Sequence, residues 1–331
     1  MKEPLKSRQS ARTAPDLSQV SAVLLSFLIV LTGYSQPQNS RQSPPRPNNQ
    51  NDNQETIKIN VDLVVLHATV QNSDLEPVSG LGKEDFQVYE DGVLQEIESF
   101  SHEDIPVTVG LVIDNSGSMR PKRAEVITAA LAFARASNTK DQIFVVNFNE
   151  HVSFGLPANT PFTNKTAQLE VALSKVAADG MTALYDAVAA ALDHLKKGNR
   201  DKQALIVISD GADNASRHNL AQIMALARRS DAIIYTIGIY DTDDPDRNPG
   251  SLKQLAKATG GEAYLPGSVK NIVQICERIA RDIRNQYTIT YAPTNINFDG
   301  KYRVIQVKAR APDRGRLRVR ARAGYYAPLK P

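Results

Sequence analysis

Asp114, Ser116 and Ser118 stand at alternate positions in the run Asp114-Asn115-Ser116-Gly117-Ser118-Met119. One carboxylate and two hydroxyls at this spacing, on a turn, can point three oxygens at one spot. Hard divalent cations such as Mg²⁺ take shells of that kind. The same run also reads as an ordinary polar turn with Ser116 or Ser118 as the N-cap of the next helix. Two further stretches supply matching donors. Gly180-Met181-Thr182-Ala183-Leu184-Tyr185-Asp186-Ala187 places Thr182 at the start of a predicted helix. Leu205-Ile206-Val207-Ile208-Ser209-Asp210-Gly211 closes an apolar strand with an aspartate and a glycine turn.

The elements that must position these residues are legible between 102 and 285. Near-continuous apolar runs predict strands at Val107–Asp114, Gln142–Asn149, Gln203–Asp210 and Ala232–Tyr240. Helical patterns fall at Lys122–Ser137, Lys165–Val176, Ala183–Lys197, Leu220–Arg229, Leu252–Thr259 and Val269–Gln286. Strand–helix alternation with strands apolar on both faces predicts an α/β fold, a doubly wound and mostly parallel sheet covered by helices. Val152–Leu156 fits an antiparallel edge. The candidate residues then sit outside the carboxyl ends of the strands, where open α/β sheets bind ligands.

With these residues in hand, the chain resembles the von Willebrand factor A domain over about residues 102–285. The metal-ion-dependent adhesion site of that family combines Asp-x-Ser-x-Ser, a distant Thr and an Asp after a later strand, and Asp114, Ser116, Ser118, Thr182 and Asp210 match all five positions. Thr-Ala-Leu-Tyr-Asp-Ala and Ser-Asp-Gly fit as neighbours. The resemblance implies a Rossmann-like fold and a Mg²⁺ site that captures an acidic residue of a protein ligand. Mn²⁺ suits the same oxygens, and Ca²⁺ does with more waters. Two aspartates and three hydroxyls under-neutralise the ion and leave water in its shell.

On either side the pattern is β. Ile57, Ile59, Val61 and Leu63 alternate with polar residues, Leu66 to Val70 extends them, and Phe86–Tyr89 and Val93–Phe100 follow. After the α/β segment come Tyr287–Tyr291, Tyr302–Ala309 and Leu317–Tyr326. Residues 55–101 and 286–331 are expected to pair into one small β-sandwich, with the α/β domain of 102–285 inserted in it. The flanks Val78–Phe86 with Tyr89–Gly92, and Arg320–Tyr326, resemble those of an exported, von Willebrand A-related family abundant in acidobacteria.

Lys2, Lys6, Arg8 and Arg12 precede the apolar stretch Val20–Leu31. That layout predicts a signal peptide or signal anchor over 1–35 and an exported protein, periplasmic or extracellular. Residues 36–54 lack aliphatic and aromatic side chains and read as a disordered linker. A net charge of +3 with no basic-aromatic pattern argues against nucleic acid. The single cysteine, Cys276, lies on a stripe with Ile272, Ile275, Ile279 and Ile283 and reads as a core residue. A hydrolase would need a histidine beside Ser116 or Ser118. There is no Gly-x-Ser-x-Gly elbow, and His67, His102, His151, His194 and His218 form no metal-ligand spacing and read as surface or strand-end residues. No enzymatic activity is expected. Asp241–Asp246 reads as a solvated acidic loop on the rim of the site. Arg316, Arg318, Arg320 and Arg322 alternate with apolar residues, which predicts a charged face on an edge strand, open to solvent or to an anionic envelope surface. The expected function is an exported binding or adhesion protein. The alternative is a scaffold of an envelope complex in which metal mainly stabilises.

Overall fold

The computed structural model describes residues 63–240 and 248–329. The predicted export segment, the linker, the first strand positions from Ile57 and the Asp241–Asp246 loop lie outside the described residues.

In chain order the strands are β1 (Val64–Gln71), β2 (Phe86–Glu90), β3 (Val93–Gln95), β4 (Ile97–Ser101), β5 (Val107–Asp114), β6 (Gln142–Phe148), β7 (Val152–Phe154), β8 (Lys202–Ser209), β9 (Ile233–Gly238), β10 (Ala263–Tyr264), β11 (Tyr287–Tyr291), β12 (Tyr302–Ala309), β13 (Arg318–Arg320) and β14 (Gly324–Tyr326). The helices are α1 (Arg123–Ala136), α2 (Thr166–Ser174), α3 (Leu184–Leu195), α4 (Leu220–Arg229), α5 (Pro249–Thr259) and α6 (Ile272–Arg284).

Six strands form the central sheet in the order β10-β9-β8-β5-β6-β7. Only β7 runs antiparallel. Every residue of β5 is buried, because both faces of a parallel sheet lie under helices. α1 packs against α6 and α2 in one layer, while α3, α4 and α5 pack in a row. α1 shows why these segments are helical. It is rich in alanine, the best helix former, and buries Val126, Ala129, Ala130 and Phe133 at helical spacing. Cys276 is buried on the apolar stripe of α6, and burial pushes its thiol up to about 12. From β5 the chain turns to β6 on one side and later returns through β8 on the other. The loops leaving β5 and β8 thus part above a common crevice.

Two four-stranded antiparallel sheets complete the fold, β13-β1-β11-β4 and β14-β12-β2-β3. Strands from before and after the α/β segment share both. Leu66, Ala68, Val88, Tyr287, Ile289 and Tyr291 build a second core. The fold class read from the sequence therefore stands. Two predicted strands need correction. Val93–Phe100 divides at Glu96 into β3 and β4, and Leu317–Tyr326 divides into β13 and β14. In each case the two halves belong to different sheets, since a chain that turns a sandwich corner must leave one ladder to join the other.

The arginine row is also corrected. β13 is indeed an edge strand. Arg320 is nonetheless only 8% exposed, and its guanidinium lies 2.8 Å from Asp282 and 3.4 Å from Glu262. Arg322 pairs with Asp231 at 2.6 Å, and Arg318, half exposed, with Glu262 at 3.6 Å. The guanidiniums of Arg320 and Arg322 pack on the α/β domain and form a seam, whereas Arg316 and Arg318 stay exposed. Gln286 adds hydrogen bonds to Thr69 and to the Tyr235 hydroxyl across the same seam. A helix long and apolar enough to cross a membrane is absent among the described residues.

Removing one partner of a buried ion pair leaves the other charge stranded. Arg320→Ala is expected to destabilise the protein by about 3–5 kcal/mol, whereas Arg318→Ala should cost about 0–1 kcal/mol. Urea midpoints of the two variants check this; equal midpoints would remove the seam as a stabilising element.

Candidate functional site

β5 ends on Asp114, whose carboxylate is 2% exposed. Its Oδ1 accepts the backbone N–H of Ser116 at 2.8 Å, and its Oδ2 accepts the Ser209 hydroxyl at 2.6 Å. One side chain thus closes its own turn and ties it to the neighbouring strand β8. Ser116 takes the N-cap position of a short 3₁₀ turn, Gly117–Lys122, but its side chain makes no capping bond. The Ser116 hydroxyl lies 3.1 Å from that of Ser118 instead. The Ser118 hydroxyl in turn donates to Oδ2 of Asp210. The capping role that would explain this run as an ordinary turn is therefore not filled.

Asp210 follows β8 directly and is fully buried. Its Oδ1 accepts the Ala212 N–H at 3.1 Å. Gly211 between them has φ +82°, and a Cβ there would lie 2.6 Å from the Asn248 carbonyl oxygen. Both facts require glycine at this sharp exit from the strand. The Gly211 N–H donates to the Ser209 hydroxyl, so Ser209 bridges the two aspartate turns.

Thr182 arrives from a third loop. The Gly117 N–H donates to the Gly180 carbonyl at 3.0 Å, and Asp179 N–H to the Asn115 carbonyl at 2.9 Å, which fastens this loop to the first turn. Thr182 is 3% exposed and stands two residues before the start of α3. Its hydroxyl has no hydrogen-bond partner among the described residues. Hydrogen bonds thus link Asp114, Ser116, Ser118 and Asp210, and Thr182 joins them through backbone contacts. Ser118 is the exposed member.

Burial first, and then the nearby charge of Asp210, push the Asp114 carboxyl up to about 7, against the opposing hydrogen bonds of Ser209 and Ser116. Five oxygens, two of them on carboxylates, are the donor set of a hard cation and unsuited to a soft metal. The residues present fit a Mg²⁺-type ion. Among the described residues, groups of three or more His, Cys, Asp or Glu suited to a metal are absent, and the donor set at this site is two carboxylates with three hydroxyls.

The histidines stand apart. His218 Nδ1 lies 2.6 Å from Asp186, and neither Ser116 nor Ser118 pairs with an imidazole. His194 departs from the surface reading. It is buried in the last turn of α3 among Phe144, Phe154 and Phe162, with Nε2 at 3.1 Å from the Pro161 carbonyl. A cavity of about 870 Å³ lies elsewhere, lined by Leu63, Val65, Arg228, Arg229, Arg322 and Tyr326 among others, and shares no residue with the constellation. Residues that the sequence reading did not single out are Ser209, which holds Asp114, and Asn214, whose Oδ1 accepts the Thr182 N–H at 2.8 Å. The polar run Ser209–Asn214 at a strand end was the available signal.

The profile of the von Willebrand factor type A domain matches residues 108–277, just over half of the chain. The chain belongs to this family. Comparison with curated proteins at the sequence level finds no match. Among solved structures, the chain is similar to a von Willebrand factor type A protein from Catenulispora acidiphila, at 14% identity and TM-score 0.49, over 82% of this chain and 75% of that one. It is also similar to the conserved hypothetical protein BatB from Bacteroides thetaiotaomicron, at 17% identity and TM-score 0.40, over 54% and 98%. The vWF domain of the type V pili tip protein Mfa5 from Porphyromonas gingivalis gives 15%, 0.44, 54% and 95%. With TM-scores below 0.5, none of these likenesses bears on function.

An acid whose folded-state pKa lies above its ordinary value holds its proton more tightly when folded. Its contribution to stability is then complete below about 4 and is lost as the pH rises through about 7. In chelator, wild type should therefore lose stability relative to Asp114→Asn as the pH rises from about 5 to about 8. Urea unfolding across that range tests the point; parallel curves for the two proteins would refute the assignment.

Proposed function

We propose that this von Willebrand A domain protein captures a protein partner through a divalent cation, with Mg²⁺ held by Asp114, Ser116, Ser118, Thr182 and Asp210. The observation that carries the reading is the meeting of the β5, β8 and Thr182 loops around oxygen donors only. Two aspartates leave the ion under-neutralised, so it accepts a further carboxylate from an acidic side chain of the partner. The exposed Ser118 marks the open side. The reading is one of recognition and not of catalysis. Nothing in the modest net charge suggests nucleic acid as the partner.

Calorimetry should give one Mn²⁺ or Mg²⁺ site, lost in Asp114→Ala and strongly weakened in Asp210→Ala. Equal Mn²⁺ binding by wild type and Asp114→Ala would show the site to be misassigned. Partners recovered from an envelope fraction should bind with Mg²⁺ or Mn²⁺, fail with EDTA, and fail with Asp114→Ala. A scaffold whose metal mainly stabilises would keep its partners in EDTA and lose thermal stability instead.

Export is the second part of the proposal, supported by the basic and then apolar order of residues 2–31. A reporter enzyme active only outside the cytoplasm, fused after residue 54, should be active. Retention of the fusion inside the cell would end this part of the reading.

A further inference from the structure

Helix α3 begins one residue beyond the Thr182-Ala183 step, and its N-cap residue Ala183 offers no side-chain cap. The first N–H groups of a helix have no partner within the helix and need one from outside. Here the partners come from another loop, the one that leaves β8 after Asp210. Asp213 Oδ1 accepts the Tyr185 N–H at 3.1 Å, and the Ser216 hydroxyl accepts the Asp186 N–H at 3.1 Å while donating to Asp213 at 2.6 Å. Asp186 answers in the other direction: its carboxylate accepts the N–H groups of Arg217 and His218. Burial works against ionisation of Asp186, but these bonds outweigh it and hold the carboxyl below its ordinary range.

At the centre of this exchange stands Asn214. Its side-chain Oδ1 accepts the Thr182 N–H at 2.8 Å. Its own N–H, and that of Ala215, donate to the Thr182 carbonyl, both at 3.0 Å. Thr182 is therefore gripped at both backbone groups by the loop that carries Asp210, while its hydroxyl is left without a protein partner among the described residues.

We infer that Asn214 is a positioning residue of the cation site: it fixes Thr182 to the Asp210 loop and sets the Thr182 hydroxyl where an ion can use it. The inference rests on the cation reading above and adds to it a residue outside the five donors. Groups that orient metal ligands typically cost about 10–100-fold in affinity when removed. Asn214→Ala should weaken Mn²⁺ binding by roughly tenfold. Asn214→Asp keeps the accepting oxygen and should bind Mn²⁺ at least as tightly as wild type. A residue that acts through Thr182 must lose its effect when the Thr182 hydroxyl is gone, so in a Thr182→Ala background the Asn214→Ala change should add less than about twofold.

The experiment is calorimetric titration of the full-length protein with Mn²⁺ alone, for wild type, the three single variants and the double variant. Circular dichroism melts in EDTA confirm folding. If Asn214→Ala melts below the assay temperature, Asn214→Ser takes its place, since its hydroxyl is too short to reach the Thr182 amide. A folded Asn214→Ala or Asn214→Ser that binds like wild type overturns the inference, as does a double variant whose loss is the product of the two single losses. A wild type that binds no Mn²⁺ overturns the cation reading itself and this inference with it.

Discussion

A carboxylate at the end of a strand buried on both faces is the constraint on which this molecule turns. Asp114 has almost no contact with solvent, and the next carboxylate, Asp210, raises its proton affinity. Burying such a group without compensation is costly. The fold meets the cost with two hydrogen bonds, one from Ser116 N–H and one from the Ser209 hydroxyl, and each ties down a different loop. The same interactions that make the carboxylate tolerable give the site its shape. The two acidic groups remain close enough for the charge of Asp210 to raise the proton affinity of Asp114.

The donor residues were open to reading because each sits on a turn at a strand end, where polarity breaks sharply with the apolar run before it. Asp114 ends seven apolar or small residues, and Asp210 ends another such run. The sheet was legible for the same reason, down to β5, whose ends agree with the pattern of the sequence. Edges of helices shifted by up to three residues, and β10 was not anticipated. Its two residues, Ala263 and Tyr264, carry too little periodicity to register.

What stayed hidden depends on tertiary partners. Alternation correctly puts Arg318 and Arg320 on a strand, but no local spacing says which face another domain will cover. Arg320 proved to lie under it, against Asp282 and Glu262. His194 likewise carries no mark of the three phenylalanines around it, which come from the stretch 144–162 well upstream in the chain. Asn214 is the same case within the site. Its bond to the Thr182 N–H joins the lead-in of α3 to the β8 loop, a contact that shows only when the two are seen side by side.

The ladder between β1 and β11 has a mechanical consequence. It runs antiparallel from Val64 opposite Tyr291 to Ala68 opposite Tyr287. The chain before Leu63 leaves from one end of this ladder. The link from α6 into β11 joins it at the other, next to Ser101, where β4 hands over to the α/β domain. Tension between the N-terminal side and the α/β domain would pull β1 and β11 lengthwise past one another. In that geometry every rung of the ladder carries load at once, where a peeling pull would break them one at a time. The α/β domain, with Asp114 and Asp210 at the far end of its sheet, is thus mounted on a joint loaded in shear.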